Sequence, residues 1–441
     1  MSPQQPKTIV IIGGGFAGAY CAHMLLRRSR PDEIRVRLIN QTNYFAFTPL
    51  LIEAGTGALE PRHAVVPLRR FAPGAELHMG TANGIDFEAR RVTYRTMLGE
   101  TYDLEYDHVV LAPGSVTQLP DVPGLRDHGY SIKSIGEAIA LRDRAIAMLE
   151  QAEDCPDADR RRAMLTFVIV GANYTGVEVA GEFNDLLRRA TRDYRNIQPD
   201  DIRVVLVDHE DRILNTLDES LSDYAMKQLR RRGVEIHLKD TATQIHAESV
   251  ELKQAGRIDT MTLIWTAGIA PSPLIDALDV PCDQRGYVLC EPDLRIQGHD
   301  HAWAIGDSAV NVDPEGHAYP PTAQHAVREG QQAGRNILRV LRGSEPEPLV
   351  YRSQGMIAPL GDRDGVAGLM GLRLSGLPAW FLWRTVYLLK MPGIGRSLRV
   401  MLDWTLDWFF RRDYVQLGIH NRPHSHVDAA ADDHEKKGPD A

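Results

Sequence analysis

Three glycines near the N-terminus have the residue type and spacing of a phosphate-binding turn. Gly13, Gly15 and Gly18 follow an apolar segment, residues 9–12, in the spacing G-x-G-x-x-G. The first glycine permits the tight turn, the second lets backbone approach a pyrophosphate, and the third lets helix and strand pack closely. The start of the following helix presents free N–H groups to the same anion. The pattern therefore predicts a dinucleotide site at this end of the chain.

The residue that follows the second predicted strand, residues 34–39, differs from the usual pattern. Asn40 stands where a dinucleotide fold usually places an acid that holds the ribose hydroxyls. An amide offers one acceptor oxygen where a carboxylate offers two. We therefore expect weaker ribose binding at Asn40, and we expect the substitution Asn40→Asp to keep or strengthen binding of the nucleotide.

The opening pattern returns after a second apolar segment, residues 165–170. Gly171 and Gly176 occupy the outer glycine positions, and Asn173 replaces the middle glycine. We interpret this asparagine as a residue that tolerates left-handed backbone. The next strand, residues 202–207, ends at Asp208, an acid that accepts hydrogen bonds from a ribose 2′-OH and repels a 2′-phosphate. This second turn predicts a site that binds NADH in preference to NADPH. The alternative is that the turn serves only to pack the helix against the strand.

Small residues and one acid follow three further predicted strands. An acid at a strand end, above a nucleotide crevice, can hold a flavin ribityl hydroxyl or can cap the next turn. A helix predicted to start near residue 320 would direct its N-terminus at a flavin and stabilise the anionic reduced ring. The cofactor-binding candidates at these strand ends are Ala112 and Gly114, Ala267 and Gly268, and Gly306 and Asp307.

Composition narrows the class of protein. A chain of 441 residues is too long for one core and predicts two or three domains. Its net charge of -9 argues against a nucleic-acid partner. No apolar run of eighteen residues is free of charges and of the glycine turn, so we expect no spanning helix. We predict no metal site and a reducing, cytoplasmic compartment, because no C-x-x-C or metal-ligand spacing occurs among the four cysteines, Cys21, Cys155, Cys282 and Cys290.

The C-terminal part of the chain differs in composition from the rest. Residues 380–391 and 395–412 read as two amphipathic helices, broken at Pro392 and Gly393. Residues 377–412 contain four of the six tryptophans and a positive excess, which suits a membrane interface with tryptophan rings at the headgroup level. The alternative is a helix pair packed on the body of the protein or on a second subunit. Residues 421–441 read as a disordered tail.

Several motifs, taken in order, resemble the type II NADH dehydrogenases over roughly residues 7–417: GGGFAG, NYFAFTPLL, EPRHAVVPLRR, GANYTGVEVAGE, IWTAG, AIGD and PPTAQHAVREG. The resemblance implies an α/β fold with two Rossmann-like dinucleotide-binding domains, as in glutathione reductase, and a C-terminal segment of amphipathic helices. It implies an FAD-binding domain in two parts, 1–125 and 281–345, an NADH-binding domain over 126–280, and a membrane-associated segment over 346–420.

The resemblance also assigns roles to single residues. Thr48 and Pro49 match the segment beside the flavin ring, and Asp307 matches the ribityl ligand. Glu178 matches an acid near flavin and nicotinamide that could pass a proton to reduced quinone; its alternative role is a helix-start acid. Candidates at the quinone site are Ala323 and Gln324, which match a pair beside flavin and quinone, and Arg328, which stands where many relatives carry a second glutamine.

The reaction that the resemblance implies is hydride transfer from NADH to FAD, followed by reduction of a quinone. The enzyme would bind peripherally to the inner face of the cell membrane through residues 377–412 and could form a homodimer. Two alternatives share the nucleotide sites: a soluble NADH reductase of an iron–sulfur protein or another acceptor, and a non-enzymatic protein that senses NADH through its flavin.

Overall fold

The chain divides into two compact units, each built from three segments. The computed structural model describes residues 5–30, 32–416 and 418, so the predicted tail, 421–441, lies outside the described residues. The first unit comprises Met1–Ala46, Val65–Val116 and Ile269–Ser353, and the second comprises Phe47–Ala64, Thr117–Gly268 and Gln354–Ala441. Strands are numbered β1–β24 and helices α1–α12 along the described residues.

A seven-stranded sheet forms the centre of the first unit. Its strands lie in the order β20-β8-β1-β2-β5-β6-β7; the first five run parallel, and β6 and β7 extend the sheet as antiparallel strands. Residues 9–12 are buried on both faces, which explains their uninterrupted apolar sequence. The strands of this sheet are β1 (Lys7–Ile12), β2 (Ile34–Asn40), β5 (Glu76–Asp86), β6 (Arg91–Thr96), β7 (Thr101–Glu105), β8 (His108–Leu111) and β20 (Ala302–Ala304).

Helices cover this sheet, and shorter strands surround it. The short strands β3 and β4 form an antiparallel pair. The helices are α1 (Phe16–Arg28), α3 (Leu68–Phe71), α9 (Pro273–Asp276) and α10 (Ala323–Leu341), and the short strands are β3 (Tyr44–Ala46), β4 (Val65–Pro67), β9 (Ser115–Thr117) at the unit boundary, β18 (Ile269–Pro271), β19 (Val288–Leu289) and β21 (Ala309–Val310).

A five-stranded parallel sheet forms the centre of the second unit, in the order β10-β17-β11-β12-β13. Two antiparallel three-stranded sheets accompany it, β14-β15-β16 and β22-β23-β24. The strands are β10 (Gly129–Tyr130), β11 (Thr166–Val170), β12 (Arg203–Asp208), β13 (Val234–Leu238), β14 (Ala242–His246), β15 (Ser249–Leu252), β16 (Gly256–Asp259), β17 (Thr262–Trp265), β22 (Gly355–Pro359), β23 (Gly365–Leu369) and β24 (Leu372–Ser375).

The helix α5, which precedes the second glycine turn, has a capping box at its start. Ser134 accepts a hydrogen bond from the N–H of Glu137, and the Glu137 carboxylate accepts one from the N–H of Ser134. None of the residues 154–162 is buried, and the helix α6 begins within this polar segment, at Ala158. The helices of this unit are α2 (Leu51–Gly55), α4 (Leu125–His128), α5 (Ile135–Glu153), α6 (Ala158–Met164), α7 (Tyr174–Ala190), α8 (Glu219–Arg231), α11 (Leu377–Lys390) and α12 (Ile394–Phe409).

The last two helices form a hairpin that has one buried face and one exposed apolar face. The predicted break is present, because α11 ends at Lys390 and α12 begins at Ile394. The expectation of tryptophan at a membrane surface is wrong for three of the four rings: Trp380, Trp383 and Trp404 are buried, and Trp408 alone of the four is exposed. Among the described helices none is long and apolar enough to cross a membrane.

Candidate functional site

The glycine turn of the first unit leaves no room for side chains at two positions and leaves space open at the third. A methyl group on Gly13 would overlap the carbonyl oxygen of Ala112, and one on Gly18 would overlap that of Gly13. Gly15, by contrast, has nothing within 4 Å of its added carbon, and it begins α1 without a side-chain cap. A phosphate could therefore approach this helix start closely, so the turn fits the pyrophosphate of FAD.

Asn40 is engaged in holding this turn. Its Oδ1 accepts a hydrogen bond from the N–H of Gly14 at 2.8 Å, and its Nδ2 donates to the carbonyl oxygen of Thr42 at 2.8 Å. A carboxylate could accept the first bond but could not donate the second. An amide at position 40 therefore makes two hydrogen bonds in the turn that an acid could not both make. The sequence alone, which only showed that the usual acid is missing, did not reveal this role.

The strand end that carries Asp307 is supported by a buried carboxyl group that sequence reasoning missed. Ser115 Oγ donates to Asp307 Oδ2 at 2.9 Å. Glu329, only 4% exposed, accepts hydrogen bonds at one oxygen from the N–H of Gly306 at 2.6 Å and from Asn311 Nδ2 at 2.9 Å. Burial raises the pKa of Glu329 to about 7. The sequence feature that could have indicated this role is the position of Glu329, an acid on the apolar face of α10.

The start of α10 brings three side chains together around Tyr351. Gln324 Nε2 donates to Ser353 Oγ at 3.0 Å, and the Tyr351 hydroxyl donates to Gln324 Oε1 at 3.2 Å. The Arg328 guanidinium lies 5.2 Å from the centre of the Tyr351 ring. The two predicted residues are therefore joined through a tyrosine that the sequence did not single out, in the first turns of the helix that begins at Ala323.

The glycine turn of the second unit resembles that of the first, except that an asparagine side chain caps the helix that follows it. A methyl group on Gly171 would lie 2.7 Å from the Ala267 nitrogen, and one on Gly176 would overlap the carbonyl oxygen of Gly171. Asn173 has φ −71°, so the interpretation that it tolerates left-handed backbone is wrong. Its Oδ1 instead accepts from the Gly176 N–H at 3.0 Å, and Asn173 thus caps α7.

Asp208 lies at the end of β12 and contacts the same turn. Its carboxylate, 8% exposed, accepts hydrogen bonds from the N–H groups of Ala172 and Glu210. Gly268 has φ +78°, and a methyl group there would lie 2.5 Å from Gln118 Oε1. The structure therefore brings the predicted residues of the second turn together: Gly171, Asn173, Gly176, Asp208, Ala267 and Gly268.

Glu178 lies in the second turn of α7, and other carboxyl groups surround it. Burial, followed by the charges of Glu182 and Glu53, raises the pKa of Glu178 well above its ordinary value. Thr48 and Pro49 form a short 3₁₀ helix immediately before α2, the helix that carries Glu53. These surroundings shift the carboxyl group of Glu178 toward its protonated form.

Glu53 and Glu182 belong to a buried charge cluster that the sequence did not predict. Trp404 Nε1 donates to Glu53 Oε2 at 2.7 Å, and Arg384 Nη2 lies 3.4 Å from Glu53 Oε1. Arg412 binds Asp407 through two nitrogens, at 2.6 and 2.9 Å, and its Nη1 lies 4.0 Å from Glu182 Oε2. The name buried charge cluster is kept below for Glu53, Glu182, Arg384, Asp407 and Arg412.

The described residues contain no group of three or more histidine, cysteine or acidic side chains that could hold a metal ion. The four cysteines are free thiols, and Cys21 and Cys290 are buried.

Comparison with known proteins agrees with this geometry. A model of the pyridine nucleotide-disulphide oxidoreductase family matches residues 7–330, and a model of the NDH2 C-terminal domain matches residues 353–413. A type II NADH:quinone oxidoreductase of Mycobacterium tuberculosis is 30% identical over 435 residues, 93% of this chain and 92% of that protein. A demethylphylloquinone reductase of Synechocystis is 30% identical over 421 residues, 92% of this chain and 98% of that protein.

A solved structure shares the fold. NDH2 from Plasmodium falciparum, in complex with NADH, superposes with a TM-score of 0.87 at 18% sequence identity and covers 93% of this chain and 100% of that chain. The predicted fold class, two Rossmann-type units followed by C-terminal helices, is thereby confirmed. From its two glycine turns to its C-terminal hairpin, the chain belongs to the type II NADH:quinone oxidoreductases of the pyridine nucleotide-disulphide oxidoreductase family.

Proposed function

We propose that this chain oxidises NADH and reduces a quinone, with FAD as its resident cofactor. The observation that carries the proposal is the pair of glycine turns, one in each unit, in a chain whose relatives are named as quinone reductases. In the balanced reaction, NADH, a quinone and one proton give NAD⁺ and a quinol. Those relatives disfavour the two alternative readings, an iron–sulfur protein reductase and a flavin-based sensor.

The residues of the first unit would hold FAD, which supplies a carrier that accepts a hydride and releases two electrons. Gly13, Gly15 and Gly18 would bind its pyrophosphate at the start of α1. Asp307 would hold a ribityl hydroxyl, and its orientation depends on Ser115 and on the Gly306 turn that Glu329 supports. The remaining FAD-binding candidates of this unit are Asn40, Ala112, Gly114 and Ala323. Thr48 and Pro49, which lie in the second unit, are candidates through the family resemblance alone.

The second unit would bind NADH as a substrate, and Asp208 would select it against NADPH. The repulsion between this carboxylate and a 2′-phosphate corresponds to about 1–3 kcal/mol of selectivity. The substitution Asp208→Asn leaves one acceptor oxygen where the carboxylate uses two, one for the N–H of Ala172 and one for that of Glu210. It should lower the ratio of kcat/KM for NADH and NADPH and weaken the turn by the loss of one hydrogen bond, about 1 kcal/mol. Asp211→Asn, at an exposed position nearby, is the control.

Gln324 and Arg328 are our candidates for contact with the quinone, because they supply polar groups beside Tyr351 at the start of α10. In the second unit, Glu178 is our candidate for the acid that gives a proton to the reduced quinone, and its raised pKa supports this role.

We also propose that the hairpin of α11 and α12 binds a membrane surface, on the cytoplasmic side, where free thiols persist. The support is an outward apolar face: Leu402 is 56% exposed and Phe409 75% exposed, a pattern that costs free energy in water. Further members of this exposed face are Leu377, Phe381, Leu389, Ile394, Leu398, Met401, Leu406 and Trp408.

Rapid mixing tests the proposed function in two halves. NADH should bleach the bound flavin of the purified protein, and a quinone should restore its colour faster than a soluble iron–sulfur protein does. Flavin released by denaturation should run as FAD. Recovery of FMN, or reoxidation that no quinone accelerates, would overturn the proposal.

A further inference from the structure

The buried charge cluster contains one more carboxyl group than it has arginines. Asp407 accepts two hydrogen bonds from Arg412, and Glu53 forms an ion pair with Arg384. Glu182, 6% exposed, is left with a single contact to Arg412 at 4.0 Å. Burying an unpaired carboxylate is costly, so a cluster of this composition retains a proton. In agreement with this count, burial raises the pKa of Glu182 to about 7.

A polar cavity adjoins the cluster. Its volume is about 50 Å³, which is room for one or more water molecules. Glu53, Glu182 and Arg384 line it, as do Arg189 and Asp362, whose side chains are 34% and 49% exposed, so it extends toward the protein surface. Within the described part of the chain, Arg384 Nε and Arg412 Nη1 are buried and have no hydrogen-bond acceptor, as expected where water completes their bonding.

Glu178 lies one helical turn from Glu182. The two residues are four positions apart in α7, a spacing that places side chains on one face about 5–6 Å apart. The charge of Glu182 contributes to the raised pKa of Glu178, as does that of Glu53. Two carboxyl groups at this spacing can exchange a proton directly or through one water molecule.

We propose that Glu182, with Glu53 beside it, relays protons from cavity water to Glu178. The inference rests on the proposed function, in which Glu178 serves the quinone. A quinol carries two electrons and two protons; the hydride of NADH brings two electrons and one proton, and water must supply the other. In the relay the Glu182 acid gives its proton to the Glu178 carboxylate and takes another from water, with no change of oxidation state.

The charged and titratable groups that face the relay come from several elements of the second unit. Arg412 and Arg384 hold the pKa of Glu182 down, whereas Glu53 and Asp185 raise it. These influences set the range of proton release near neutral pH. Groups facing Glu53 are Arg384, Trp404, Arg412 and Asp407, and groups facing Glu178 are Glu182, Glu53, Tyr174 and Tyr387.

The test compares Glu182→Gln with Glu182→Asp in the FAD-loaded, membrane-bound enzyme. In Glu182→Gln the quinone turnover should fall about 100-fold, the low end of what positioned proton transfer contributes. Turnover with ferricyanide, which takes up no proton, should not change. Glu182→Asp should keep most quinone turnover, and formate or imidazole should restore part of it in Glu182→Gln, because a small acid can enter the cavity.

An infrared measurement gives a readout that is independent of turnover. The protein should show a carboxylic acid carbonyl band that titrates near pH 7 and is missing in Glu182→Gln. Unchanged quinone turnover and pH profile in Glu182→Gln would overturn the relay, and so would equal loss of turnover with quinone and with ferricyanide. Absence of the titrating infrared band from the unaltered protein would also overturn it. If the unaltered protein reduces no quinone, the proposed function fails instead.

Discussion

Gly15 and Asn173 occupy equivalent positions in the two glycine turns, and their difference suits the two nucleotides. Both residues are extended, with φ −70° and −71°, and each begins a helix. The side chain of Asn173 already accepts the N–H of Gly176, whereas Gly15 offers no competing acceptor. A phosphate at the second turn must share that helix start. Tight binding suits a resident cofactor such as FAD, and weaker binding suits a substrate that leaves after each turnover.

The hydrogen bonds of Asn40 reverse what the sequence alone led us to expect of Asn40→Asp. The new carboxylate would face the carbonyl oxygen of Thr42, where the amide now donates. Loss of that bond and the repulsion between acceptors should destabilise the turn by about 1–3 kcal/mol. We expect weaker FAD retention and a lower melting temperature, measured by flavin release and calorimetry.

Gln41→Glu is the matched control, since it makes the same chemical change one residue later at an exposed side chain. If Asn40→Asp retained FAD as well as the unaltered protein does, the hydrogen bond to Thr42 would not be what selects an amide at this position.

Among helices, strands and turns, the sequence predicted the features that are determined by residues close together along the chain. Both glycine turns and the break between α11 and α12 follow from local spacing. The orientation of α12 does not follow from local spacing, because two of its inward polar side chains have partners in distant segments. His63 Nδ1 lies 2.5 Å from Asp403 Oδ2, and Trp404 Nε1 donates to Glu53. Nothing within residues 394–409 indicates those partners.

The C-terminal hairpin should lose its membrane affinity when its exposed apolar face becomes charged. Leu402→Asp combined with Leu406→Asp removes two side chains whose burial in lipid would contribute about 1.5–3 kcal/mol each. Vesicle binding should weaken by about 100-fold or more, and reduction of a long-chain quinone should fall with it. Ferricyanide reduction should stay unchanged. Cosedimentation with anionic vesicles measures the first effect.

Leu98→Asp is the control, because Leu98 is 88% exposed between β6 and β7, far from the hairpin in sequence. Vesicle binding that survives in the double variant would contradict the membrane proposal. A shift from dimer to monomer in that variant, with vesicle binding intact, would assign the face to a second copy of the chain.

For the whole molecule, the buried carboxyl groups predict how stability depends on pH. A glutamate titrates near pH 4.3 when unfolded, whereas burial raises the pKa of Glu182 and Glu329 to about 7. Between these values the folded state binds more protons, so the free energy of unfolding should fall as pH rises from about 4.5 to 7. Above pH 7 this contribution should be level. Each group accounts for on the order of 3 kcal/mol.

Glu329→Gln should flatten this slope, because the amide keeps an acceptor for Gly306 and carries no charge. Urea unfolding at several pH values measures the slope, with the exposed Glu345→Gln as control. An identical slope in Glu329→Gln and the unaltered protein would show that Glu329 is ionised in the folded state at low pH.

The three-segment construction of the first unit also fixes the order in which its parts can form during synthesis. β20 pairs with β8, yet it leaves the ribosome roughly 190 residues later, a delay of about 10 to 40 s at ordinary rates of translation. During that interval the glycine turn exists without Asp307 and without α10. The five-stranded parallel sheet of the second unit, encoded between them, is synthesised before β20, whereas Ala358, Leu360 and Val366 of that unit's core follow later. A nascent chain of this protein can therefore form the sheet and glycine turn proposed to bind its substrate before it can retain its cofactor.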